Sequence, residues 1–542
     1  MGYQGRALTM KTRVRRTTLI RRLVLGAGLL AIPVLSGGGR AAAATTYDWL
    51  QFDGNPSHTG NNTQETSITT SNVGTLSQLF RVSLPDTADS SPVYLRSVST
   101  PKGTVDLVFV ATQFGYIIAS NARTGAQIWA QQNPAGSCKI NGGSNTCYTT
   151  SSPAIDPNRQ YVYSYGLDGY VHKYAVGDGS QVTTGGWPEL ATIKPQDEKG
   201  SSALSIATAS NGQSYLYVAN GGYPGDQGDY QGHITAINLS SGAQQVYNAN
   251  CSNQINVHLG YSSCAPQQTA IWARAGAIYD PANNRLYFST GNGSYSPGDF
   301  NWGDSVLALN PDATGAGNGN PLDSYTPADF PNLQIDDADL GSTDPAILPA
   351  IPGSSYRNVA VQAGKDKELR LLNLDNLSGQ GAVGKTGGEL SGDTNVPQGS
   401  EVLTQPATWT DPSTGTVWVF VANDSGISGL KVVSNSSSVP VFGAHWTVGT
   451  RCTSPIIANS ILYCATGQLI QALDPTTGSQ LWKNTTIGSI HWESPIVANG
   501  VLYVTDGSGH LTAFTSNAGP TYAPLHRKCK KGKHRVYGKC VR

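Results

Sequence analysis

The eight cysteines are the residues whose spacing points most directly to chemistry. They fall into four close pairs: Cys138 and Cys147, Cys251 and Cys264, Cys452 and Cys464, and Cys529 and Cys540. A thiol can form a disulfide or bind a metal, and the cellular compartment largely decides which. In an exported chain this spacing predicts four local disulfides rather than a metal cluster. The sequence contains no C-x-x-C-H segment, the motif that would attach a haem covalently.

The N-terminal segment indicates that the chain is exported. Basic residues between Lys11 and Arg22 precede an apolar run at 23–35, and four alanines follow at 41–44. These are the three parts of a secretory signal, with cleavage expected after Ala44. The apolar run is too short to span a bilayer, so no transmembrane segment is predicted. We therefore expect a signal peptide over 1–44 and an extracellular, periplasmic or cell-envelope location.

The distribution of charge excludes one class of partner. The full chain has 35 basic and 35 acidic residues, and the eight basic residues of 1–44 leave 27 basic against 35 acidic after export. The last eighteen residues carry another eight basic ones, so the body at 45–524 has 19 basic against 35 acidic residues. An acidic body argues against nucleic-acid binding, because phosphate contact needs clustered cations. The basic tail has two interpretations: contact with an anionic cell-envelope polymer or lipid headgroups, or a solvated hairpin that ends the chain.

Eight copies of one sequence unit make up most of the chain. Each has an apolar strand, usually opened by Ser-Pro or Asp-Pro, then a Tyr-rich strand and a third strand such as YIIASN at 116–121. A Thr-Gly turn follows in several copies, sometimes with a Trp beyond it. Such four-stranded repeats predict a β-propeller, in which the blades close into a ring. We expect an all-β chain with an eight-bladed β-propeller of four-stranded blades over 45–520 and a basic, cystine-framed tail over 521–542.

The two ends of the repeat region are expected to form one blade together. The eighth copy stops after its third strand at Phe514, whereas LSQLFRVSL at 76–84 is a strand without a blade of its own. Pairing these segments would supply the missing outer strand and remove a free sheet edge. The ring is therefore predicted to be closed by an N-terminal strand.

The unusual segments all belong to links that emerge on one face of such a ring. These links join the second strand to the third within a blade, or one blade to the next. They include the long loop at 289–304, GGYPGDQGDYQG at 221–232, the acidic link at 322–341 and the links that contain the first two cysteine pairs. Because loops on a rigid scaffold commonly carry function, the site is predicted on this face.

Five segments, in chain order, resemble the pyrroloquinoline quinone (PQQ) propellers, the family that includes quinoprotein alcohol dehydrogenases and poly(vinyl alcohol) dehydrogenase. They are IWARAGAIYDP at 271–281, STGN at 289–292, GDSVLALNPDATG at 303–315, DADLGSTDPAIL at 337–348 and AGKDKELRLLN at 363–373. The first resembles the family's strand that bears a Trp, and the last resembles its strand with a Lys or Arg at the quinone. The resemblance covers most of the predicted propeller.

The resemblance implies a secreted, PQQ- and calcium-dependent dehydrogenase that oxidises a small or polymeric alcohol. Trp272 would lie beneath the quinone, Lys365 would touch its oxygens, and Asn292 would contact the cofactor and bind calcium. Asp337 would be the catalytic base and a calcium ligand, with Asp339 as a further ligand. These residue types suit a flat, tri-anionic ring system and a hard cation that takes six to eight or so oxygen ligands.

Each of these residues also has a structural interpretation. Under it, Trp272 plugs the central tunnel and Asn292 makes a turn between two glycines. Asp337 and Asp339 then belong to a solvated acidic link, and Lys365 is surface charge.

The chain departs from the family pattern at three points. It has no adjacent cysteine pair, no Trp before Asp337, and no Glu in 221–232, where the family's calcium-binding Glu would fall. Asp226 or Asp229 would have to replace that Glu. These departures favour a second hypothesis, a non-catalytic propeller that acts as an extracellular binding or assembly scaffold for a protein or glycan. No nucleophile motif supports a hydrolase.

Overall fold

The computed structural model describes residues 46–138 and 146–516, together with the backbone of two short strands, His534–Val536 and Lys539–Val541. The chain divides into a unit over Met1–Ala43 and a unit from Ala44 onward. The predicted signal peptide and Cys529 lie outside the described residues. No helix in the described part is long and apolar enough to cross a membrane.

Eight four-stranded antiparallel sheets make up the repeat region, which confirms the predicted eight-bladed propeller. The strands of each blade are given from the inner to the outer one. Blade 1 has Val93–Thr100, Gly103–Ala111, Tyr116–Asn121 and Gln127–Gln132, and blade 2 has Ala154–Ile155, Tyr161–Tyr165, Tyr170–Ala175 and Glu189–Leu190. Blade 3 has Ser205–Thr208, Ser214–Gly222, His233–Asn238 and Gln244–Asn248, and blade 4 has Ile278–Asp280, Arg285–Ser289, Val306–Leu309 and Asp323–Tyr325. Blade 5 has Ala346–Ile347, Val359–Ala363, Glu368–Asn373 and Thr394–Asn395, and blade 6 has Ala407–Thr410, Val417–Asn423, Gly426–Ser434 and Pro440–Val448. Blade 7 has Ile456–Ala458, Ile461–Thr466, Leu469–Leu473 and Gln480–Asn484, and blade 8 has Ile496–Ala498, Val501–Asp506, His510–Ser516 and Leu76–Ser83.

A few short elements come in addition to the four strands of each blade. They are the strands Asn61–Asn62, Glu198–Lys199, Tyr295–Ser296 and Asn301–Trp302, the α-helix Phe330–Asp336, and the 3-10 helices Val73–Thr75, Pro297–Asp299 and Leu340–Ser342. Two of them add a fifth strand to a sheet: Asn61–Asn62 pairs with Ile456–Ala458, and Glu198–Lys199 pairs with Ser214–Gly222. The α-helix was not predicted, and it ends directly before Asp337.

The middle strands are buried on both faces because each blade packs between two neighbours. Every residue of Val417–Asn423 is buried, for example. The Trp residues that follow the Thr-Gly turns join adjacent blades: the Trp129 indole donates to the carbonyl of Val176 at 2.9 Å. The core therefore consists of apolar layers between blades.

The predicted closure of the ring is confirmed. Leu76–Ser83 pairs antiparallel with His510–Ser516, with Val82 opposite Leu511 and a bulge at Leu79. The blade that contains both ends of the repeat region therefore has its full four strands.

The segment before the closing strand makes contacts that the sequence pattern did not indicate. Residues 49–62 pass along the inner strands and form backbone hydrogen bonds to five different blades. The backbone pairs are Trp49 with Tyr94, Leu50 with Ile155, Pro56 with Tyr279, Thr59 with Thr408 and Gly60 with Ile457. This segment therefore links the inner strands of several blades and stabilises the ring.

Three of the four predicted disulfides are present, namely Cys138–Cys147, Cys251–Cys264 and Cys452–Cys464. Within the described residues no cysteine is free. The third of these disulfides does not join two adjacent strands of a blade. The inner strand of blade 7 begins only at Ile456, so Cys452 lies in the segment before it and ties that segment to Ile461–Thr466.

Candidate functional site

A cavity of about 440 Å³ opens on the face where the elaborated links emerge. All five predicted site residues line it: Trp272, Asn292, Asp337, Asp339 and Lys365. They come from blades 4 and 5 and from the links that lead into these blades. The fold therefore brings together residues that lie far apart in the sequence.

Lys365 lies between two carboxylates of the acidic link. Its Nζ is 3.1 Å from Oδ1 of Asp337 and also forms a short ion pair with Oδ2 of Asp339. Asp339 is buried, whereas the side chain of Asp337 is 72% exposed. Burial lowers the pKa of Lys365, but the attraction and hydrogen bonds of Asp339 and Asp337 together outweigh burial and hold the pKa above its ordinary value. The ammonium is therefore charged at neutral pH, and it orients both carboxylates.

Asn292 is fixed against the same two aspartates. Its backbone N–H donates to Oδ1 of Asp339 at 2.6 Å, and its Nδ2 donates to Oδ1 of Asp337 at 3.2 Å. The amide oxygen Oδ1 is buried and has no partner among the described residues. A buried oxygen without a partner is uncommon because its lost hydration is not replaced. This oxygen therefore has an unused capacity to accept a hydrogen bond or to bind a cation.

The long loop after Ser289 carries Asn292 to the acidic link. It forms a small hairpin of Tyr295–Ser296 and Asn301–Trp302. The buried Trp302 donates to Oγ of Ser252, beside the Cys251–Cys264 disulfide. A Cβ on Gly291 would overlap Oδ1 of Asp339 and would lie 3.2 Å from Nε1 of Trp272. Glycine therefore lets the loop approach the carboxylate closely.

The resemblance implied that Trp272 and Lys365 lie in strands, and neither does. Trp272 is not in a strand: it lies in the link before Ile278–Asp280, because the chain crosses the cavity before the inner strand begins. Lys365 lies in the turn between Val359–Ala363 and Glu368–Asn373 rather than within a strand. Its Nζ is 5.7 Å from the centre of the Trp272 ring, within cation–π distance.

Only one of the two candidate replacements for the missing Glu reaches the cavity. Asp226 lines it and accepts a hydrogen bond from the hydroxyl of Tyr230 at 2.5 Å. Asp229 instead accepts hydrogen bonds from Gln231 and from the backbone of Ser262. The structure therefore favours Asp226 over Asp229 at this place.

Two cations of the cavity wall were missed by sequence reasoning. Lys199 is buried, and its Nζ lies 4.2 Å from the centre of the Tyr148 ring. Burial first, and then the charge of Arg274, lower the pKa of Lys199 to about 7. Arg274 itself is buried and donates to the carbonyl of Ser201 at 2.8 Å. Arg274 belongs to the segment 271–281 that resembles the family, but no signal in the sequence singled out either cation.

A histidine–aspartate pair on the cavity was also missed. His491 lines the cavity, and its Nδ1 lies 3.1 Å from Oδ2 of the buried Asp89. Burial raises the pKa of Asp89, but the hydrogen bond and charge of His491, together with Gln113 and Arg274, outweigh burial and hold the pKa below its ordinary value. Trp492 follows His491 and lines the same cavity.

Two buried carboxyls hold the links of the site in place. Oδ1 of Asp304 accepts the backbone N–H of Leu340 at 3.1 Å, directly after Asp339. Asp344 accepts the N–H groups of Gly276 and Ser289 on its two oxygens. Burial raises the pKa of Asp304 to about 8 and that of Asp344 to about 7.

The arrangement offers oxygen ligands beside an aromatic surface. Among the described residues no three His, Cys, Asp or Glu side chains form a metal-binding group. A cation here would therefore depend on the amide oxygen of Asn292 together with Asp337 and Asp339. Carboxylate and amide oxygens are the donors that a hard cation such as Ca²⁺ prefers.

Comparison with solved structures gives the same fold at low sequence identity. Quinohemoprotein alcohol dehydrogenase ADHIIG from Pseudomonas putida HK5 has a TM-score of 0.59 and 14% identity, over 89% of this chain and 82% of that enzyme. A europium-containing methanol dehydrogenase has a TM-score of 0.60 and 14% identity, over 86% of this chain and 98% of its own. The quinohemoprotein alcohol dehydrogenase from Comamonas testosteroni has a TM-score of 0.56 and 17% identity, over 90% and 83%. No curated protein matches the chain.

Comparison of the sequence with models of protein families identifies the family of the chain. The model of the PQQ_2 family, described as outer membrane protein assembly factor BamB, matches residues 81–300 and 409–521. These two ranges cover more than half of the chain and most of the eight blades. The chain therefore belongs to the PQQ_2 family of β-propellers.

Proposed function

We propose that this chain is an exported dehydrogenase that oxidises an alcohol with PQQ and a hard cation such as Ca²⁺. The observation that carries the proposal is the convergence of Trp272, Asn292, Asp337, Asp339 and Lys365 on one cavity. Export is supported by the signal-like segment over 1–44 and by three disulfides. The domain boundaries at 44 and 520, and contact of the basic tail with an anionic cell-envelope polymer, are parts of the same proposal.

The walls of the cavity fit a flat polyanion. Its volume lies in the range of small-ligand sites, roughly 300 to 1,000 Å³. Trp272 offers an aromatic surface, while Lys365, Lys199 and Arg274 offer positive charge. An anion would also give the unpaired amine of Lys199 a partner, and would thereby offset the cost of burying its charge.

Asn292, Asp337 and Asp339 would hold the cation, with Oδ1 of Asn292 already free to bind. When bound, the cofactor and cation would supply a hydride acceptor and a Lewis acid. Lys365 would then be drawn from the two carboxylates towards the negative charge of the cofactor. Its short side-chain contacts to both aspartates place it within reach of either position.

Asp337 is the proposed catalytic base. Its side chain is 72% exposed, so a substrate hydroxyl can approach it, and Lys365 and Asn292 hold its Oδ1 in a defined position. A carboxylate so placed takes the hydroxyl proton as the carbon-bound hydrogen leaves. The more deeply buried Asp339 would serve only as a ligand.

The test is a titration of the metal-free chain with PQQ in the presence of Ca²⁺ or Eu³⁺, followed by the absorbance of the quinone. We then expect Asp337→Asn to lower the turnover of an alcohol by about 10²-fold or more, with PQQ affinity changed only slightly. Asp336→Asn is the matched control, because Asp336 is an exposed neighbour at the end of the helix and makes the same change of charge.

Two results would reject the proposal. One is a folded chain that binds PQQ with neither cation. The other is an Asp337→Asn variant whose turnover equals that of Asp336→Asn.

The family description supports a second candidate function, an extracellular assembly or binding scaffold. Four exposed apolar side chains on the elaborated links would suit it: Ile193, Ile255, Val257 and Tyr261, which are between 46% and 59% exposed. The same titration separates the two candidates. A well-folded chain without PQQ affinity would leave the scaffold as the supported function.

A further inference from the structure

Lys199 is a buried amine that faces the cavity without a carboxylate partner. The residue is 5% exposed and lies on the link between blades 2 and 3. Its nearest charged or aromatic contact is the ring of Tyr148 at 4.2 Å, and no carboxylate of the described chain forms an ion pair with it. Lys194, five residues earlier, is equally buried but lies 3.0 Å from Oε1 of Glu198. The fold thus pairs one of these two lysines and leaves the other open to the cavity.

The surroundings of Lys199 favour the neutral amine. The guanidinium of Arg274 lines the same cavity and repels a second positive charge, while Asp89 attracts it less strongly. Tyr148 contributes an aromatic surface and no formal charge at neutral pH, since burial raises its pKa further. Burial of an unpaired ammonium is costly, so the amine gives up its proton at lower pH than an exposed lysine does.

A neutral amine with access to a cavity is a nucleophile. Exposed lysines are almost fully protonated at neutral pH and have no free lone pair. Lys199 keeps its lone pair in a substantial fraction of molecules, and the cavity is large enough to admit a small carbonyl compound. Desolvated lysines beside another cation are a known route to imine chemistry in enzymes.

We propose that Lys199 is a carbonyl-reactive residue, which forms a reversible imine with an aldehyde or ketone that enters the cavity. The amine nitrogen forms the bond to the carbonyl carbon, and the carbonyl oxygen leaves as water with the two amine protons. The step needs no oxidant or reductant. This reaction belongs to the chain without bound cofactor, because an anion in the cavity would pair with the Lys199 ammonium.

The test uses the full-length mature chain without added PQQ. Benzaldehyde is added together with cyanoborohydride, which reduces the imine to a stable amine, and labelled peptides are identified by mass spectrometry. At pH 7 we expect Lys199 to be labelled at least about tenfold faster than the exposed Lys102 and Lys367, since burial beside Arg274 favours the neutral amine of Lys199. Lys194 should stay unlabelled because it is ion-paired and does not line the cavity.

The pH dependence separates reactivity from mere accessibility. The labelling rate of Lys199 should level off above about pH 7, whereas the rate of free Nα-acetyl-lysine, added as a reference, should still rise towards about pH 10. Lys199→Arg should abolish labelling at this site while circular dichroism shows an unchanged fold. Equal rates for Lys199 and Lys102 at pH 7, or parallel pH profiles, would overturn the inference.

Labelling at Lys199 and binding of PQQ can succeed or fail independently, so failure of this inference is distinguishable from failure of the proposed function. A chain that labels at Lys199 but binds no PQQ would support this inference and reject the dehydrogenase. A chain that binds PQQ but labels no faster at Lys199 than at Lys102 would do the reverse.

Discussion

Asp304 is held as a neutral carboxyl behind the site, and this has a measurable effect on stability. Burial raises its pKa from an ordinary value near 4 to about 8 in the folded chain. Between these values the folded state keeps a proton that the unfolded state releases, so stability falls as the pH rises towards 8. The stabilising effect of the proton is complete only below about pH 4 and is lost by about pH 8.

Replacing Asp304 by Asn should therefore stabilise the chain. The Asn side chain keeps an oxygen for the N–H of Leu340, carries no charge, and suits the left-handed backbone with φ of 45°. We expect Tm to rise, most clearly near pH 8, and the decline of Tm between pH 5 and 8 to become shallower. Thermal unfolding followed by circular dichroism across this range is the measurement. A variant with a lower Tm at pH 8 would contradict the expectation.

The same substitution at Asp344 should have the opposite effect. Asp344 accepts an N–H group on each of its two oxygens, from Gly276 and Ser289. Asn can accept only one of these bonds and turns its own N–H₂ towards the other donor. We expect Asp344→Asn to cost about 1 to 3 kcal/mol of unfolding free energy, the typical penalty for an unsatisfied buried group. Comparing the two variants therefore separates the effect on stability of a buried carboxyl's charge from the effect of its hydrogen bonds.

At the scale of elements, the loop after Ser289 depends on its first glycine. A methyl group on Gly291 would press on Oδ1 of Asp339, which the N–H of Asn292 already occupies. We expect Gly291→Ala to shift that carboxylate, to weaken binding of PQQ and Ca²⁺ about tenfold or more, and to destabilise the chain by roughly 1 to 3 kcal/mol.

Gly298 provides a control in the same loop. A methyl group on Gly298 would meet no other atom within 4 Å, and the residue does not have a left-handed φ. Gly298→Ala should therefore leave both Tm and ligand affinity nearly unchanged. Similar losses in the two variants would show that the loop as a whole, rather than its contact with Asp339, is sensitive to substitution.

At the scale of the whole molecule, the ring is held together where the two ends of the repeat region meet. Phe80 on the closing strand is buried, and the centre of its ring lies 6.4 Å from that of Tyr503 in the same blade 8. Phe80 also lies against Gly125 at the Thr-Gly turn of blade 1. Phe80→Ala should cost about 3 kcal/mol or more of unfolding free energy, because it opens a cavity at the joint between two blades. Urea unfolding measures this loss.

Leu79 is the neighbouring control. It lies at the bulge of the same strand and is 37% exposed, so Leu79→Ala should change the unfolding free energy by no more than about 0.5 to 1 kcal/mol. If both variants lost the same stability, the closing strand would contribute through its backbone pairing alone.

The sequence by itself determined the number of blades, the closure of the ring and three of its disulfides. Each repeat has apolar residues on both faces of its strands, so it can bury them only against a repeat on either side, and an incomplete last repeat requires a strand from the other end. The cysteine pairs are close in sequence, so local geometry alone allows them to meet. The site residues Asn292, Asp337 and Lys365 were predicted by resemblance to a family, not by spacing.

Only the tertiary structure decided what surrounds those residues. Lys199 and Arg274 belong to different links, and their shared wall exists because the ring places these links side by side. The pKa of Lys199 and that of Asp304 depend on burial, which no local pattern specifies. The path of residues 49–62 along the inner strands likewise follows from where the closed ring leaves unpaired backbone groups. Repeats encode short-range order, whereas the convergence of loops on one face depends on the curvature of the whole ring.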